Sequence, residues 1–172
     1  PPVLLGFSLD MNAGVISLNF NETVRARGSL MPSGFTIYGT NDTVSVPSLT
    51  LMPSTVVQSN NAPVVNLTLV KVDLDALKLL VQVGTSVSNT YLHIMMGAVQ
   101  DMANVSNGIV TTVLQAVAFV PDTTPPNLVS YTVDFNANLT VLNFDEPVNS
   151  SSLDFTAITL LNRPINATAN YT

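Results

Sequence analysis

Cysteine and tryptophan are absent from this 172-residue sequence, and histidine occurs once. Without cysteine there is no disulfide, no thiol nucleophile and no cysteine-ligated zinc or iron–sulfur centre. Without tryptophan, and with 6% aromatic residues, the chain has few of the stacking side chains on which sugar-binding sites depend. The one histidine, His93, has no marked partner for a metal site or a Ser-His-Asp set. The sequence therefore predicts no catalytic residues, and we do not expect an enzyme.

Charged residues are also scarce, at 9% of the chain against the usual ~25%. Five residues are basic and the net charge is −6, which disfavours nucleic-acid binding because that requires a basic surface. The longest apolar runs, such as residues 113–120, are too short to span a membrane. The hydrophobic fraction of 47% is sufficient for an ordinary core. Something other than charge must then hydrate the surface.

Asparagine residues in the pattern N-x-Ser/Thr, the acceptor for N-linked glycans, supply a candidate for that role. One interpretation is a heavily glycosylated surface, and the alternative is passive accumulation of the pattern in a chain rich in Asn, Ser and Thr. We favour the first and expect covalent glycans. Thr123 and Thr124, with Pro32, Pro47 and Pro53, are candidates for O-linked or hydroxyproline-linked sugars, with ordinary turns as the alternative. The eight N-linked candidates are Asn21, Asn41, Asn66, Asn104, Asn138, Asn149, Asn166 and Asn170.

One stretch of the sequence occurs twice. Residues 1–24 align without a gap with residues 125–148, and 11 of the 24 positions are identical. The identities include the Pro-Pro start and the Phe-x-Glu-x-Val end of each copy. The second copy stops early, so we interpret the chain as part of a longer protein. We expect a first domain over residues 1–120, a Pro-rich linker over 121–126, and an incomplete second repeat over 127–172.

Alternation of apolar and polar residues predicts about seven short strands. Pro47 and Pro53 mark predicted edge strands, because proline cannot donate to a sheet ladder. Residues 109–120 are predicted to form one long final strand. The predicted inward-facing residues are Leu5, Phe7 and Leu9 in 3–10, Ile16, Leu18 and Phe20 in 15–21, Val65, Leu67 and Leu69 in 64–70, and Leu92, Ile94 and Met96 in 90–96.

One segment departs from the strand pattern. Residues 73–80 read as a short helix, with Asp73 as its N-cap and Leu74, Leu77 and Val81 on its apolar face. We expect this helix to cross from one sheet to the other. Together the elements predict an all-β chain with an Ig-like β-sandwich of about seven strands and one crossover helix, followed by the start of a second Ig-like unit.

Two motifs mark the first repeat. The opening motif is the strand end Phe20-Asn-Glu22-Thr-Val24, repeated as Phe144-Asp-Glu146-Pro-Val148, and the closing motif is Gly97-Ala-Val-Gln-Asp101-Met-Ala-Asn104. Both resemble motifs of tandem bacterial-type Ig-like repeats, which occur in S-layer proteins, adhesins and extracellular proteins of algae and protists. The closing motif departs from the family pattern by lacking the glycine before the asparagine. The resemblance implies an Ig-like fold and a place in an extracellular array.

Acidic residues give two further predictions. Glu22 and Glu146 recur at a strand end, where a carboxylate can accept backbone N–H groups and fix the following loop. Asp101 and Asp122 are weak candidates for calcium, because no stretch has the ligand density of a D-x-D-x-D-G loop. We expect no metal and no other cofactor.

These observations favour a structural function outside the cell. We expect an extracellular or cell-surface glycoprotein whose tandem Ig-like modules assemble into a fibre, stalk or surface layer. We expect head-to-tail self-association, in which strands of a neighbouring copy complete the unfinished repeat. The alternative is an adhesin or ligand-binding module that uses the loops over residues 24–34 and 97–108.

Overall fold

The computed structural model describes residues 1–44, 46–57, 60–103 and 108–161. Over these residues the chain is mostly β, as predicted, with one α-helix and several single 3-10 turns. The elements are β1 (Leu4–Asp10), β2 (Val15–Arg25), β3 (Phe35–Tyr38), β4 (Ser48–Thr50), β5 (Val56–Val57), β6 (Ala62–Thr68), α1 (Lys71–Leu79), β7 (Tyr91–Ile94), β8 (Gln100–Asp101), β9 (Thr112–Gln115), β10 (Ala118–Val120), β11 (Leu128–Asp134) and β12 (Leu139–Phe144).

The first repeat contains two sheets. One has the strand order β10-β1-β2-β6-β5, with the short β8 also paired to β2. The other has the order β4-β3-β7-β9. Strands β4 and β5, which follow Pro47 and Pro53, lie at sheet edges as the prolines predict. Helix α1 connects β6 of one sheet to β7 of the other, so the predicted crossover helix is confirmed.

Both sheets contribute to a single buried apolar cluster. Ile16, Leu18 and Phe20 from β2 are buried, as their alternation with polar residues predicts. Phe35 and Ile37 from β3 lie in the same cluster. Burial of a side chain of this size contributes about 1.5–3 kcal/mol, so these few residues supply much of the stability of the first repeat. Further members include Phe7, Leu9, Val65, Leu67, Leu77, Leu92 and Ile94.

The prediction for the first strand is wrong at one residue. Leu5 is 59% exposed, whereas Leu4 is 5% exposed and belongs to the core. A bulge causes the change, because Leu4 pairs with Phe20 and Gly6 pairs with the adjacent Asn19, which leaves Leu5 without a partner. The second repeat has the same irregularity, between Leu128 and Ser130.

The predicted long final strand is two strands in different sheets. Strand β9 pairs with β7, and β10 pairs in parallel with β1. The change of sheet occurs at two consecutive residues. The Ala116 N–H donates to Thr90 O at 2.8 Å, and the Val117 N–H donates to Phe7 O at 2.8 Å. Consecutive backbone groups therefore bond to opposite sheets, and the single-strand prediction is wrong.

Four other local predictions need correction. Helix α1 begins at Lys71 with Val70 at its N-cap, so Asp73 lies in the first turn and does not cap the helix. Val81 is exposed because the helix ends at Leu79. Met96 is exposed because β7 ends at Ile94 and the chain turns through Gly97, whose φ is +80°. The predicted loop 97–108 also contains the two-residue strand β8.

The described part of the second repeat consists of a hairpin and two 3-10 turns. Strands β11 and β12 form a separate two-stranded antiparallel sheet. The turns Ser150–Ser152 and Phe155–Ala157 follow it. Beyond the hairpin the alignment of the repeats drops one residue, so that Ile158 and Leu160 correspond to Phe35 and Ile37. The second turn then corresponds by sequence to Pro32–Gly34, and the likeness between the repeats continues beyond the hairpin.

Candidate functional site

The ammonium group of Lys78 connects the first repeat to the linker and to the second repeat. Lys78 lies in the last turn of α1. Its Nζ atom lies 2.7 Å from Oδ2 of Asp122 in the linker and forms a second ion pair with Oε2 of Glu146, directly after β12. All three side chains are largely buried, with 16%, 22% and 12% exposed for Lys78, Asp122 and Glu146. One cation therefore holds two segments that are far apart in sequence.

The surroundings of Lys78 and Asp122 favour the charged form of both side chains. Burial of the ammonium opposes its charge, but hydrogen bonds to Asp122 and Glu146 outweigh it and raise the pKa of Lys78. Burial likewise opposes ionisation of Asp122, but bonds from Lys78 and from the Thr124 N–H lower the pKa of its carboxyl. Both groups are therefore charged over the neutral range.

Asn12 fastens the linker to the first hairpin. Its Oδ1 atom accepts from the Thr123 N–H at 3.2 Å, from the Thr123 hydroxyl at 3.2 Å and from the Thr124 hydroxyl at 2.8 Å. Just before the linker, the Met11 N–H donates to Val120 O at 2.9 Å. The predicted linker therefore has defined contacts to the hairpin turn at residues 10–14.

Apolar side chains surround the ion pairs. A cleft of about 400 Å³ lies between the two repeats next to Lys78. Met11, Leu77 and Phe119 of the first repeat line it, together with Pro126 of the linker and Pro147 of the second repeat. A charge pair beside apolar groups is screened less by solvent and salt than an exposed pair. We call the Lys78 ion pairs, the Asn12 contacts and this cleft the joint.

The hairpins of the two repeats are similar in sequence, and each forms equivalent hydrogen bonds within itself. In the first, Asn21 Oδ1 accepts from the Val3 N–H at 2.8 Å. In the second, Asp145 Oδ1 accepts from the Asn127 N–H at 2.7 Å, and this bond lowers the pKa of the Asp145 carboxyl. The hairpin turns also correspond, since Asp10 Oδ1 accepts from the Ala13 N–H as Asp134 Oδ1 does from the Ala137 N–H.

These contacts correct the prediction for Glu22 and Glu146. The carboxylate or amide that accepts the backbone N–H is one residue earlier, at Asn21 and Asp145. Glu146 instead binds Lys78. No pattern in the sequence connects Lys78 with Glu146, and the recurrence of the glutamate was the available signal for a function at that position.

The N-linked candidates occupy several environments. Asn21, Asn41, Asn138 and Asn149 are exposed, while Asn66 is partly buried in a central strand. Asn21 accepts a hydrogen bond through Oδ1, the atom that remains an acceptor when a glycan is attached to Nδ2. Asn138 has a φ of +52° and corresponds to Gly14, whose φ is +64°. Three other candidates lie outside the described residues: Asn104, Asn166 and Asn170.

The O-linked candidates differ in accessibility. Thr123, Thr124, Pro47 and Pro53 are exposed. Pro32 is buried in its 3-10 turn, and this argues against modification there.

The calcium candidates do not come together. Asp122 binds Lys78, and Asp101 is buried in β8 with its Oδ1 atom unpaired among the described residues. Within those same ranges no cluster of three or more His, Asp or Glu side chains could hold a metal ion. The His93 ring lies edge-on to Tyr38, with ring centroids 6.3 Å apart.

No helix in the described part of the chain is both long enough and apolar enough to cross a membrane. Compared with protein-family models, with curated proteins and with solved structures, the chain has no match.

A second surface feature is a groove of about 840 Å³ on the second repeat. Leu142 and Phe144 of β12 line it, together with Ile158 and Leu160. Their counterparts in the first repeat are Leu18, Phe20, Phe35 and Ile37, all of which are core residues. The groove is therefore the position that the core occupies in the first repeat.

Proposed function

We propose that this chain is part of an extracellular structural glycoprotein in which Ig-like modules are held at a fixed angle by the joint. The observation that carries the proposal is the binding of Lys78 to both Asp122 and Glu146. Two modules on an unanchored linker would reorient freely, since relative motion is the default for small interfaces between domains. A largely buried cation shared by the linker and the next module restricts that motion.

The strand order supports the Ig-like interpretation. An Ig-like sandwich has strands A, B, E and D in one sheet and C, F and G in the other. With β1, β2, β6 and β5 as A, B, E and D, the first sheet has this order. The second sheet, β4-β3-β7-β9, then corresponds to C′, C, F and G. On this assignment, the final strand G is divided between the sheets as β9 and β10.

The proposed surface chemistry follows from composition and exposure. Few charges are available, and four N-linked candidates, Asn21, Asn41, Asn138 and Asn149, are exposed. Glycans at these positions hydrate the modules and separate neighbouring arrays. The location outside the cell and the assembly into a fibre, stalk or surface layer are part of the same proposal.

The test measures the distribution of distances between the two repeats in the full chain. The absence of cysteine allows one spin label at Ser54→Cys and one at Thr132→Cys, both exposed positions. Double electron–electron resonance should give one narrow distribution. Lys78→Met should broaden it. Arg27→Met, which removes an exposed positive charge from the first repeat, should not. A broad distribution in the unsubstituted chain would refute the fixed-angle proposal.

A second candidate function, a ligand-binding or adhesive module, is favoured by one observation. Met31, Met95 and Met96 are exposed at the end of the first repeat where the two candidate loops meet. The Met31 N–H donates to Ala98 O at 3.0 Å, and the Met95 N–H donates to Gly34 O at 2.8 Å. Exposed methionines suit adaptable contacts. Loss of cell-surface binding on Met95→Ser and Met96→Ser, with the inter-repeat distance unchanged, would favour this function.

A further inference from the structure

The outer face of the sheet β10-β1-β2-β6-β5 has an apolar hollow of about 220 Å³. Leu5, Val64 and Val117 line this hollow, and all three side chains are exposed. Gly6 lines it as well, and a Cβ atom there would lie 3.1 Å from a methyl carbon of Val117. None of the described residues that line the hollow is charged. A group that covers the hollow therefore removes apolar side chains from water, which is favourable, and needs no charge of its own.

The glycan acceptor Asn21 lies on the same face of the sheet, at one end of the hollow. Gly6 and Val64 pair with Asn19 from either side, and Asn19 lines the hollow between them. Asn21 is the next residue of β2 on that face, because the intervening Phe20 belongs to the core. Two residues of a strand span about 7 Å, so the first sugars of a glycan on Asn21 reach the hollow.

The second repeat differs at both of these features. Ser130 takes the position of Gly6, and the Asn143 Nδ2 atom donates to the Ser130 Oγ atom at 3.0 Å, so polar side chains bridge β11 and β12 there. Asp145 takes the position of Asn21 and cannot carry an N-linked glycan. The position without a side chain and the glycan acceptor therefore occur together in the first repeat and are replaced together in the second.

We propose that the hollow is a docking site for the first sugars of the N-linked glycan on Asn21. The apolar faces of the sugar rings and the N-acetyl methyl group pack on the exposed leucine and valines, while the sugar hydroxyls bind Ser8, Asn19 and solvent. The glycan is tethered beside the hollow, so its effective concentration there is of millimolar order or higher and weak contacts are sufficient. A free partner has no such tether. The proposal rests on the glycosylation included in the proposed function and is independent of the joint.

The test uses the full chain from a eukaryotic secretory host, trimmed with an endoglycosidase that leaves one N-acetylglucosamine at each occupied asparagine. Peptide mass spectrometry measures the occupancy of Asn21. Nuclear magnetic resonance should show Overhauser contacts between an N-acetyl methyl group and the methyl groups of Leu5 and Val64. A soluble paramagnetic probe should relax these methyl groups less than in Thr23→Ala, which keeps Asn21 but lacks the acceptor pattern. Because the contacts are weak, the expected change is in this local exposure and not in the free energy of unfolding.

Two control variants are matched to the test. Thr43→Ala, which removes the acceptor pattern of an exposed loop between β3 and β4, should keep the protection that Thr23→Ala loses. Val64→Thr should weaken the Overhauser contacts between the N-acetyl group and Leu5. Val56→Thr, at an exposed valine of the same sheet outside the hollow, should keep them.

Three results would overturn the docking site. An occupied Asn21 without the Overhauser contacts would refute it and leave the proposed function standing. An unoccupied Asn21 would refute it together with the part that this glycan has in the proposed surface, while the inter-repeat distance distribution would still test the joint. A dimer of the glycosylated chain that Val64→Thr abolishes would make a second copy the occupant.

Discussion

Lys78 of the first repeat forms an ion pair with Glu146 of the second, although the two residues are 68 positions apart. Among the described residues, the side chain of Glu22, the counterpart of Glu146, forms no ion pair. The same glutamate is therefore ion-paired in the described part of the second repeat and not in that of the first. This difference between two equivalent residues gives a controlled way to measure the joint.

Glu146→Gln should loosen the second hairpin, and Glu22→Gln should not. A charged hydrogen bond contributes about 1.5–3 kcal/mol, and a loss of one or two kcal/mol changes an equilibrium by a factor of about 5–30. Amide hydrogen exchange in β11 and β12 should accelerate by about that factor in Glu146→Gln, because an isolated hairpin is only marginally stable. Equal acceleration in both variants would show that the Lys78 pair does not hold the second repeat.

The joint should open in acid and stay closed at neutral pH. The folded structure lowers the pKa of Asp122. The ionised Asp122 carboxylate therefore stabilises the joint above its unfolded-state pKa of about 3.9, and this stabilisation is lost as pH falls through the folded-state pKa. The folded structure raises the pKa of Lys78. The protonated Lys78 ammonium therefore stabilises the joint below its unfolded-state pKa of about 10.4, and this stabilisation is lost as pH rises through the folded-state pKa. The inter-repeat distance distribution should therefore be narrow from about pH 5 to pH 9 and broaden below about pH 4. Lys78→Met should be broad at every pH, and a pH-independent narrow distribution in the unsubstituted chain would contradict this account.

Asn21 should have two separable roles, one in a hydrogen bond and one as a glycan acceptor. Asn21→Asp should keep the bond to the Val3 N–H, because Asp145 makes the equivalent bond to Asn127 in the second repeat. Asn21→Ala should lose it and destabilise the first repeat by about 1 kcal/mol in urea unfolding. After expression in a eukaryotic secretory host, all three variants Asn21→Asp, Asn21→Ala and Thr23→Ala should lack the mass of one glycan. Thr23→Ala should lose the glycan without a loss of stability, because it keeps the Asn21 hydrogen bond. An unchanged mass in all three would show that Asn21 is not glycosylated.

The sequence predicts those parts of the fold that depend on local alternation. Ile16, Leu18 and Phe20 face the core because a strand places every second side chain on one face. The predictions from sequence are wrong where a partner distant in the chain determines how the backbone pairs. The change of sheet at Ala116 and Val117 depends on Thr90 and Phe7, which are not their neighbours in sequence.

The candidate site was less accessible to prediction. The linker and the recurring glutamate were visible as patterns, but Lys78 was not, because an isolated lysine on a short helix has no local mark of an ion pair. The role of Asp73 likewise has no local mark in the sequence. Its carboxylate accepts from the Met52 N–H at 2.9 Å and from the Thr55 hydroxyl at 3.1 Å, and so holds the loop between β4 and β5.

The bulge at Leu5 leads to a last prediction, which compares two adjacent leucines. Leu4 is 5% exposed and Leu5 is 59% exposed, although simple alternation assigns Leu5 to the core. Leu4→Ala should therefore destabilise the first repeat by about 2–5 kcal/mol, and Leu5→Ala by about 0.5 kcal/mol or less. Urea unfolding followed by circular dichroism measures both. The opposite ranking would mean that β1 pairs with β2 without the bulge.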